Sequence, residues 1–189
     1  ERQLYLTAQL LEMQIPVVVA HNMLDMAKRR GIHIDIAQLS RSLHCPIISL
    51  TAIHGFGIAE LRRALLVIPQ TNSTLPYSFA PLLQGALQTL TEKLAPKNLP
   101  RPWLALRLLE EDRLARHYTS AEELSHVTAL IQQLKNQCGE EIDLLIADAR
   151  YRWIQSILKP SLVVNPQGKT FTSRLDRIVL NRYLGIPIF

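Results

Sequence analysis

Residues 15–25, Ile-Pro-Val-Val-Val-Ala-His-Asn-Met-Leu-Asp, decide the fold of this chain. The first seven are a short β-branched run without polar alternation, which is typical of a parallel strand covered by helices on both faces. A second short apolar run, Pro-Ile-Ile-Ser-Leu, occupies residues 46–50. Consecutive parallel strands need a crossover connection, and the interval between the two runs is long enough to hold one. The two runs therefore predict an α/β unit with a parallel sheet.

Apolar periodicity outside these runs predicts helices on both sides of a domain boundary. Residues 69–78 contain two prolines among small polar residues, which neither a helix nor a strand favours, so we expect the boundary there. The predicted helices cover residues 1–13, 24–44, 58–67, 79–95, 101–116, 120–137, 141–158 and 171–184. Ser120 and Glu123 have the spacing of a capping box. The prediction is an α/β domain over residues 1–70 followed by an all-α helical domain over residues 76–189.

Composition excludes several classes of protein. The chain has 189 residues, 48% hydrophobic and 20% charged, which is typical of a globular protein. Two cysteines cannot build a disulfide framework or a four-thiolate zinc site, and the six histidines show no spacing that places two imidazoles on one helical face. We therefore expect no metal site, no catalytic group and no nucleic-acid partner. The net charge of +5 does not distinguish among partners. Because residue 1 opens directly on a helical pattern, we expect a fragment of a longer protein.

The residues that follow the two predicted strands are the candidate site, because ligands of open α/β sheets bind beyond the carboxyl ends of the strands. The carboxylate of Asp25 can accept two hydrogen bonds from the N1–H and 2-amino group of guanine, a pair that adenine does not offer. Asn22 has a donor and an acceptor suited to tying adjacent loops together. Ala52 follows the second predicted strand, and its backbone N–H can donate to guanine O6. An alternative stays open, in which Asn22 or Asp25 simply caps the following helix.

The sequence Asn22-Met23-Leu24-Asp25 after this strand resembles the guanine-specificity motif of the ferrous iron transport protein B (FeoB) family. The stretch 45–52 with Gly-Phe-Gly at 55–57 is similar to the second base-contacting loop of that family, and residues 4–11 are similar to the helix that follows its switch regions. Residues 146–152 and 175–189 also resemble stretches of this family. The matches are in order and spread over essentially the whole chain.

The resemblance implies part of a P-loop GTPase-type G domain, followed by a helical guanine-nucleotide dissociation inhibitor domain. Guanine-base contacts would come from Asn22, Met23, Asp25, Thr51, Ala52 and Ile53. Met23 stands where the wider GTPase motif has Lys, and its thioether stem can cover the base instead. Ile53 stands where relatives have Lys or Thr.

The resemblance also implies the setting of the chain. Its cofactor would be GTP or GDP, with Mg²⁺ bound in the intact protein by ligands outside this chain. Its partner would be its own transmembrane domain at the cytoplasmic face of the bacterial inner membrane, and a homo-oligomer and small accessory iron-transport proteins are further partners that the resemblance allows. The basic residues and apolar finish of 169–189 suit a link to that membrane part.

A phosphate-binding Gly-x-x-x-x-Gly-Lys-Ser/Thr segment does not occur in these 189 residues. The resemblance implies that the intact protein is a GTPase. Because the phosphate-binding segment does not occur here, we expect this chain alone to hydrolyse no GTP and to bind guanine nucleotide weakly. A second hypothesis is a non-enzymatic helical interaction or scaffold module with no nucleotide role.

Overall fold

The computed structural model describes residues 2–67, 74–95 and 98–164. The predicted order, an α/β unit followed by a helical unit, is confirmed. The elements of the first unit are α1 (Arg2–Glu12), β1 (Val19–His21), α2 (Leu24–Arg29), β2 (Ile32–Ile34), α3 (Ile36–Leu43), β3 (Ile47–Ser49) and α4 (Ile58–Leu66). Those of the second are α5 (Pro81–Lys93), α6 (Arg101–Leu109), α7 (Arg113–His117), α8 (Ala121–Cys138), α9 (Ile142–Ser161) and β4 (Leu162–Val164).

The two predicted strands form the expected parallel pair. β1 and β3 pair with Val19 opposite Ile47 and His21 opposite Ser49, so both strands end at the same edge. β1 is shorter than the apolar run that predicted it, because residues 15–18 lie outside the ladder. The short register still brings the residues after His21 and after Ser49 together, which is what the candidate site requires.

The predicted helical stretch 24–44 is wrong in its middle, where β2 separates α2 from α3. Gly31, with φ of 67°, turns the chain after α2. Asp35 then begins α3, and its carboxylate accepts a hydrogen bond from the Gln38 N–H at 2.8 Å. The alternation in Ile-His-Ile over residues 32–34 was the strand signal, but three residues are too few to outweigh the helical pattern on both sides.

The second half of the chain also contains a strand that the sequence does not predict. β4 follows α9 directly and pairs antiparallel with β2, with His33 opposite Val163. α9 continues past Pro160 to Ser161, three residues beyond the predicted end. A strand from the second half therefore lies against an element of the first half.

The predicted helix 101–116 is two helices. Glu111 has φ of 57°, a left-handed conformation that interrupts the helix. Asp112 then begins α7, because its carboxylate accepts hydrogen bonds from the N–H groups of Leu114 and Ala115. The capping box of Ser120 and Glu123 is confirmed at the start of α8.

Two apolar clusters form the core of the described residues. The larger one joins α5, α6, α8 and the first half of α9, where Leu104 and Ile146 have no exposed surface. The smaller one packs α3 and β3 against Ile157 near the end of α9. α9 therefore contributes to both clusters. None of the helices in the described part of the chain is both long and apolar enough to cross a membrane. The predicted helix 171–184 lies outside the described residues, and the domain limits 1–70 and 76–189 stay predictions.

Candidate functional site

The carboxyl ends of β1 and β3 bring the two predicted loops together. The Leu50 N–H donates to the His21 carbonyl at 2.7 Å, and the Leu24 N–H donates to the Leu50 carbonyl at 3.3 Å. These bonds continue the β1–β3 pairing beyond the strands. They place residues 22–25 beside residues 51–53, as the sequence predicts for a site at this edge.

Asn22 ties the two loops with its side chain. Its Oδ1 accepts a hydrogen bond from the Ala52 N–H at 3.2 Å, across thirty positions of sequence. α2 begins after Met23, which has φ of 64° and makes no side-chain cap. The alternative in which Asn22 caps this helix is therefore wrong. We expected the Ala52 N–H to face guanine O6, but here it donates to Asn22. A bound base would therefore have to share this N–H with Asn22 or replace Asn22 as its acceptor.

The Asp25 carboxylate is not committed within the protein. The side chain is half-buried in the first turn of α2 and accepts no hydrogen bond from any residue that the structure describes. The N-terminal end of a helix favours a negative charge. Asp25 therefore has a defined backbone position and two carboxylate oxygens that can accept hydrogen bonds. The edge of guanine that carries the N1–H and the 2-amino group offers the two donors that such a carboxylate can accept.

The second loop is shaped by its backbone. Thr51 is buried, and its N–H donates to the Phe56 carbonyl at 3.2 Å. Between them residues 52–54 form one 3₁₀ turn. Gly57 follows with φ of 81°, and a Cβ at this position would lie 2.2 Å from the Ser49 carbonyl oxygen. The close approach of Gly57 to the end of β3 fixes where the loop returns.

Exposed apolar side chains flank the polar groups. The exposed fractions are 65% for Met23, 85% for Ile53 and 60% for Phe56. Flat apolar and thioether surfaces are suited to covering the faces of a base. Phe56 was not among the predicted site residues, and its only signal was an aromatic residue held between two glycines at 55 and 57.

His21 lies at the end of β1, directly before the first loop. Burial lowers its pKa, which keeps the imidazole neutral at pH 7. Its Nδ1 is buried and has no hydrogen-bond partner among the described residues. The imidazole therefore brings no charge to the edge where the loops meet.

A buried ionic cluster joins α1 to α6 and α9, and sequence reasoning missed it. Glu12 at the end of α1 pairs with Arg107 of α6 and Arg150 of α9, and Glu110 pairs with the same two arginines. Two carboxylates balance two guanidinium groups. The Arg107 side chain is 15% exposed, so this part of α6 faces the interior. The only sequence signal was a single Glu after two leucines.

No group of three or more histidine, cysteine, aspartate and glutamate side chains is placed to hold a metal ion in the described part of the chain.

Comparison with known proteins relates the whole chain to one family. The family model described as ferrous iron transport protein B matches residues 1–65, and the model described as the FeoB cytosolic helical domain matches residues 79–163. The Fe(2+) transporter FeoB of Escherichia coli K12 is 41% identical over 194 residues, which cover all of this chain and 25% of that protein.

Two solved structures have the same fold. The cytosolic domain of FeoB from L. pneumophila has a TM-score of 0.69 and 34% identity, over 85% of this chain and 62% of that chain. A GDP-bound variant of NFeoB from S. thermophilus has a TM-score of 0.75 and 25% identity, over 85% of this chain and 64% of that chain. These likenesses confirm the predicted GTPase-type fold.

Proposed function

Because this chain belongs to the ferrous iron transport protein B family, we propose that it supplies guanine-base recognition and an adjoining helical regulatory domain to a bacterial Fe²⁺ transporter. The chain spans a quarter of the length of the curated relatives it matches. The activity, cargo and partners of the intact protein are therefore part of the proposal.

The Asn22–Ala52 hydrogen bond, made beside the uncommitted Asp25, is the observation that carries the proposal. It holds two loops from different strands at one edge, where Asp25 can receive the N1–H and 2-amino group of guanine. Thr51 and Ala52 close the other edge of the base, while Met23 and Ile53 cover its faces. A pair of hydrogen bonds to one edge of a base selects guanine over adenine, because the adenine ring nitrogen is itself an acceptor.

In the intact protein we propose GTP hydrolysis to GDP and phosphate, with Mg²⁺ and the phosphates bound by segments outside this chain. A relative of this chain binds GDP, according to its solved structure. The Fe²⁺ ion is the cargo of a membrane part joined to this chain, which would place the chain at the cytoplasmic face of the inner membrane. The helical domain would couple nucleotide state to that pore. A homo-oligomer and small accessory iron-transport proteins complete the proposed partners.

Titration with fluorescent GDP and GTP, with and without Mg²⁺, tests what we expect of this chain alone. For the chain alone we expect weak binding and no phosphate release, because the contacts to the phosphates are missing. Tight, Mg²⁺-dependent binding to this chain would contradict that expectation.

Alanine variants of the two base-reading residues decide between the proposal and an interaction module. In the intact protein, Asn22→Ala and Asp25→Ala should abolish guanine-nucleotide binding. Lys28→Ala is the matched control, because this exposed residue lies on the same helix as Asp25 and should leave binding unchanged. Retained binding in both site variants would remove the site from residues 22–25 and favour the non-enzymatic module.

A further inference from the structure

Three consecutive basic residues lie where α2 ends and the chain turns into β2. Lys28, Arg29 and Arg30 are all exposed, and none of them pairs with a carboxylate among the residues that the structure describes. The backbone of this turn is held in place, because the Gly31 N–H donates to the Lys28 carbonyl at 3.0 Å. Three unbalanced positive charges therefore project from a fixed turn.

Helix stability accounts for only part of this basic run. Lys28 and Arg29 lie in the last turn of α2, where the negative end of the helix favours positive charge. The surplus is larger than this effect requires, because residues 26–34 carry three formal positive charges and no negative one. The nearest acidic residues along the chain are Asp25, at the start of α2, and Asp35, after β2.

The pairing of β2 with β4 puts the basic run beside the point where the chain leaves β4. Ile32, the first residue of β2, is opposite Val164, the last residue of β4, and the run ends two positions before Ile32. Residues 165–189 contain four basic residues and one acidic residue, and they finish on Leu-Gly-Ile-Pro-Ile-Phe. A basic stretch of sequence therefore begins where an unbalanced basic turn already lies.

The β2–β4 ribbon adds an exposed face without acidic groups. His33 is opposite Val163, and residues directly opposite in an antiparallel pair project to the same face. Both residues are exposed, Val163 to 54%, whereas Ile34 packs on the smaller apolar cluster. The Asp35 carboxylate, beyond the far end of β2, accepts a hydrogen bond from the Gln38 N–H. Neither strand of the ribbon contains a carboxylate.

Basic side chains next to an exposed apolar one match the chemistry of an anionic bilayer surface. Lysine and arginine are attracted to the negative lipid headgroups, and apolar side chains enter the boundary between headgroups and acyl chains. The curated relatives of this chain are Fe²⁺ transporters, and the proposed function joins the chain to a membrane part. A bilayer is therefore the anionic surface closest to residues 165–189 in the intact protein.

We propose that Lys28, Arg29 and Arg30, with the exposed face of the β2–β4 ribbon, form a basic edge that docks on the headgroups of anionic phospholipids. The inference rests on the membrane setting of the proposed function and does not require guanine binding. A failed GDP titration would therefore leave it standing, and a failed vesicle experiment would leave the nucleotide site standing.

Flotation of the full 189-residue chain with lipid vesicles tests the proposal. Wild type should bind vesicles of phosphatidylglycerol and phosphatidylcholine and should not bind phosphatidylcholine alone. The triple variant Lys28→Gln/Arg29→Gln/Arg30→Gln should bind at least about tenfold more weakly, because each basic residue near an anionic surface strengthens binding about fivefold. A wild-type chain that does not bind the anionic vesicles would overturn the proposal.

The matched control is Arg62→Gln/Arg101→Gln/Arg113→Gln, which removes three exposed positive charges from α4, α6 and α7. It should bind like wild type, because charges farther from the membrane than the screening length contribute little. Equal losses in the two triple variants would show that only net charge matters. Unchanged binding in the Lys28→Gln/Arg29→Gln/Arg30→Gln variant would show that other residues suffice. Either result would overturn the proposal.

An environment-sensitive fluorophore locates the contact without changing the basic run. It is attached at Val163→Cys in a Cys138→Ser background, because Cys138 is partly exposed whereas Cys45 is buried. Leu144→Cys is the matched control, because Leu144 is 61% exposed and lies about 26 Å along α9 from Ser161. Anionic vesicles should shift the emission to the blue for the label at position 163 and not at position 144. Equal shifts would indicate adsorption without orientation and would overturn the proposal.

A single-stranded RNA oligonucleotide tests the other class of phosphate-bearing partner, because a basic surface also attracts a nucleic-acid backbone. At equal phosphate concentration, we expect the RNA not to displace the wild-type chain from the anionic vesicles. Displacement by the RNA would assign the basic edge to a nucleic acid and would overturn the lipid proposal.

Discussion

The two loops that we propose to read guanine, residues 22–25 and 51–53, differ in burial from the ionic cluster around Glu12, although both regions join distant parts of the sequence. The loops expose Met23 and Ile53 and leave Asp25 without a protein partner among the described residues. The cluster buries Glu12 and Arg150 and gives every charge a counter-charge. Polar groups without a hydrogen-bond partner at an exposed edge are available to a ligand, whereas hydrogen-bonded polar groups in the interior hold elements together.

The largest expected effect tests the buried member of this comparison. Glu12→Ala leaves two arginines facing one remaining carboxylate, and removing one partner of a buried ion pair costs about 3–5 kcal/mol of the free energy of unfolding. Urea unfolding measures it. Glu60→Ala is the control, because Glu60 also pairs with an arginine, Arg63, but both side chains are more than half exposed. It should cost about 0.5 kcal/mol or less. Similar losses in the two variants would contradict the contrast.

The second effect concerns the backbone of the exposed member. Gly55 and Gly57 both have positive φ, so alanine at either position carries the left-handed strain of about 1–2 kcal/mol. A Cβ at Gly57 would also clash with the Ser49 carbonyl, whereas a Cβ at Gly55 would meet nothing within 4 Å. We expect Gly57→Ala to cost about 1–3 kcal/mol more than Gly55→Ala, the usual range for overpacking. Thermal unfolding of both variants measures the difference, and equal losses would mean that the Ser49 contact does not shape the loop.

The smallest effect lies between the two regions, at His21. Burial lowers its pKa below the ordinary value of 6.5, so the unfolded chain takes up a proton below pH 6.5 before the folded chain does. The free energy of unfolding should therefore fall as pH drops from 6.5 towards the folded-state pKa of His21, by at most about 1.4 kcal/mol per pH unit from this group.

Urea unfolding of His21→Leu between pH 7.5 and 5 measures that contribution. The variant should show a shallower loss of stability than wild type over this window. An unchanged slope in His21→Leu would show that His21 does not titrate differently on folding.

Local signals predicted the exposed region better than the buried one. The two β-branched runs predicted the parallel β1–β3 pair. The residues that follow them predicted the two loops, because a site at the carboxyl ends of parallel strands is made by the residues directly after each strand. The prediction that Asn22 ties the two loops together needed only the assumption that both strands end at one edge. Its partner, the Ala52 N–H, was expected to face guanine O6 instead. The helix-cap alternative failed because the left-handed Met23 begins α2 without a side-chain cap.

The parts that sequence reasoning missed depend on contacts between distant segments. β2 and β4 are three residues each and are stabilised by one another, across about 130 positions. Glu12 lies 95 positions before Arg107 and 138 positions before Arg150, so no local sequence pattern indicates that they pair. The break at Glu111 arises from one left-handed residue inside an otherwise regular apolar pattern. Such features depend on how the whole chain packs, so no short stretch of the sequence predicts them.

The nucleotide preference of Asp25→Asn in the intact protein decides whether Asp25 reads the guanine base. Asparagine can donate to the extra carbonyl of xanthine where the carboxylate received the 2-amino group of guanine. We expect the variant to lose affinity for GDP and to gain affinity for xanthosine diphosphate in competition binding, a discrimination of about 1–3 kcal/mol for a bidentate pair. An unchanged preference for GDP would remove Asp25 from the base site and contradict the assignment of these loops.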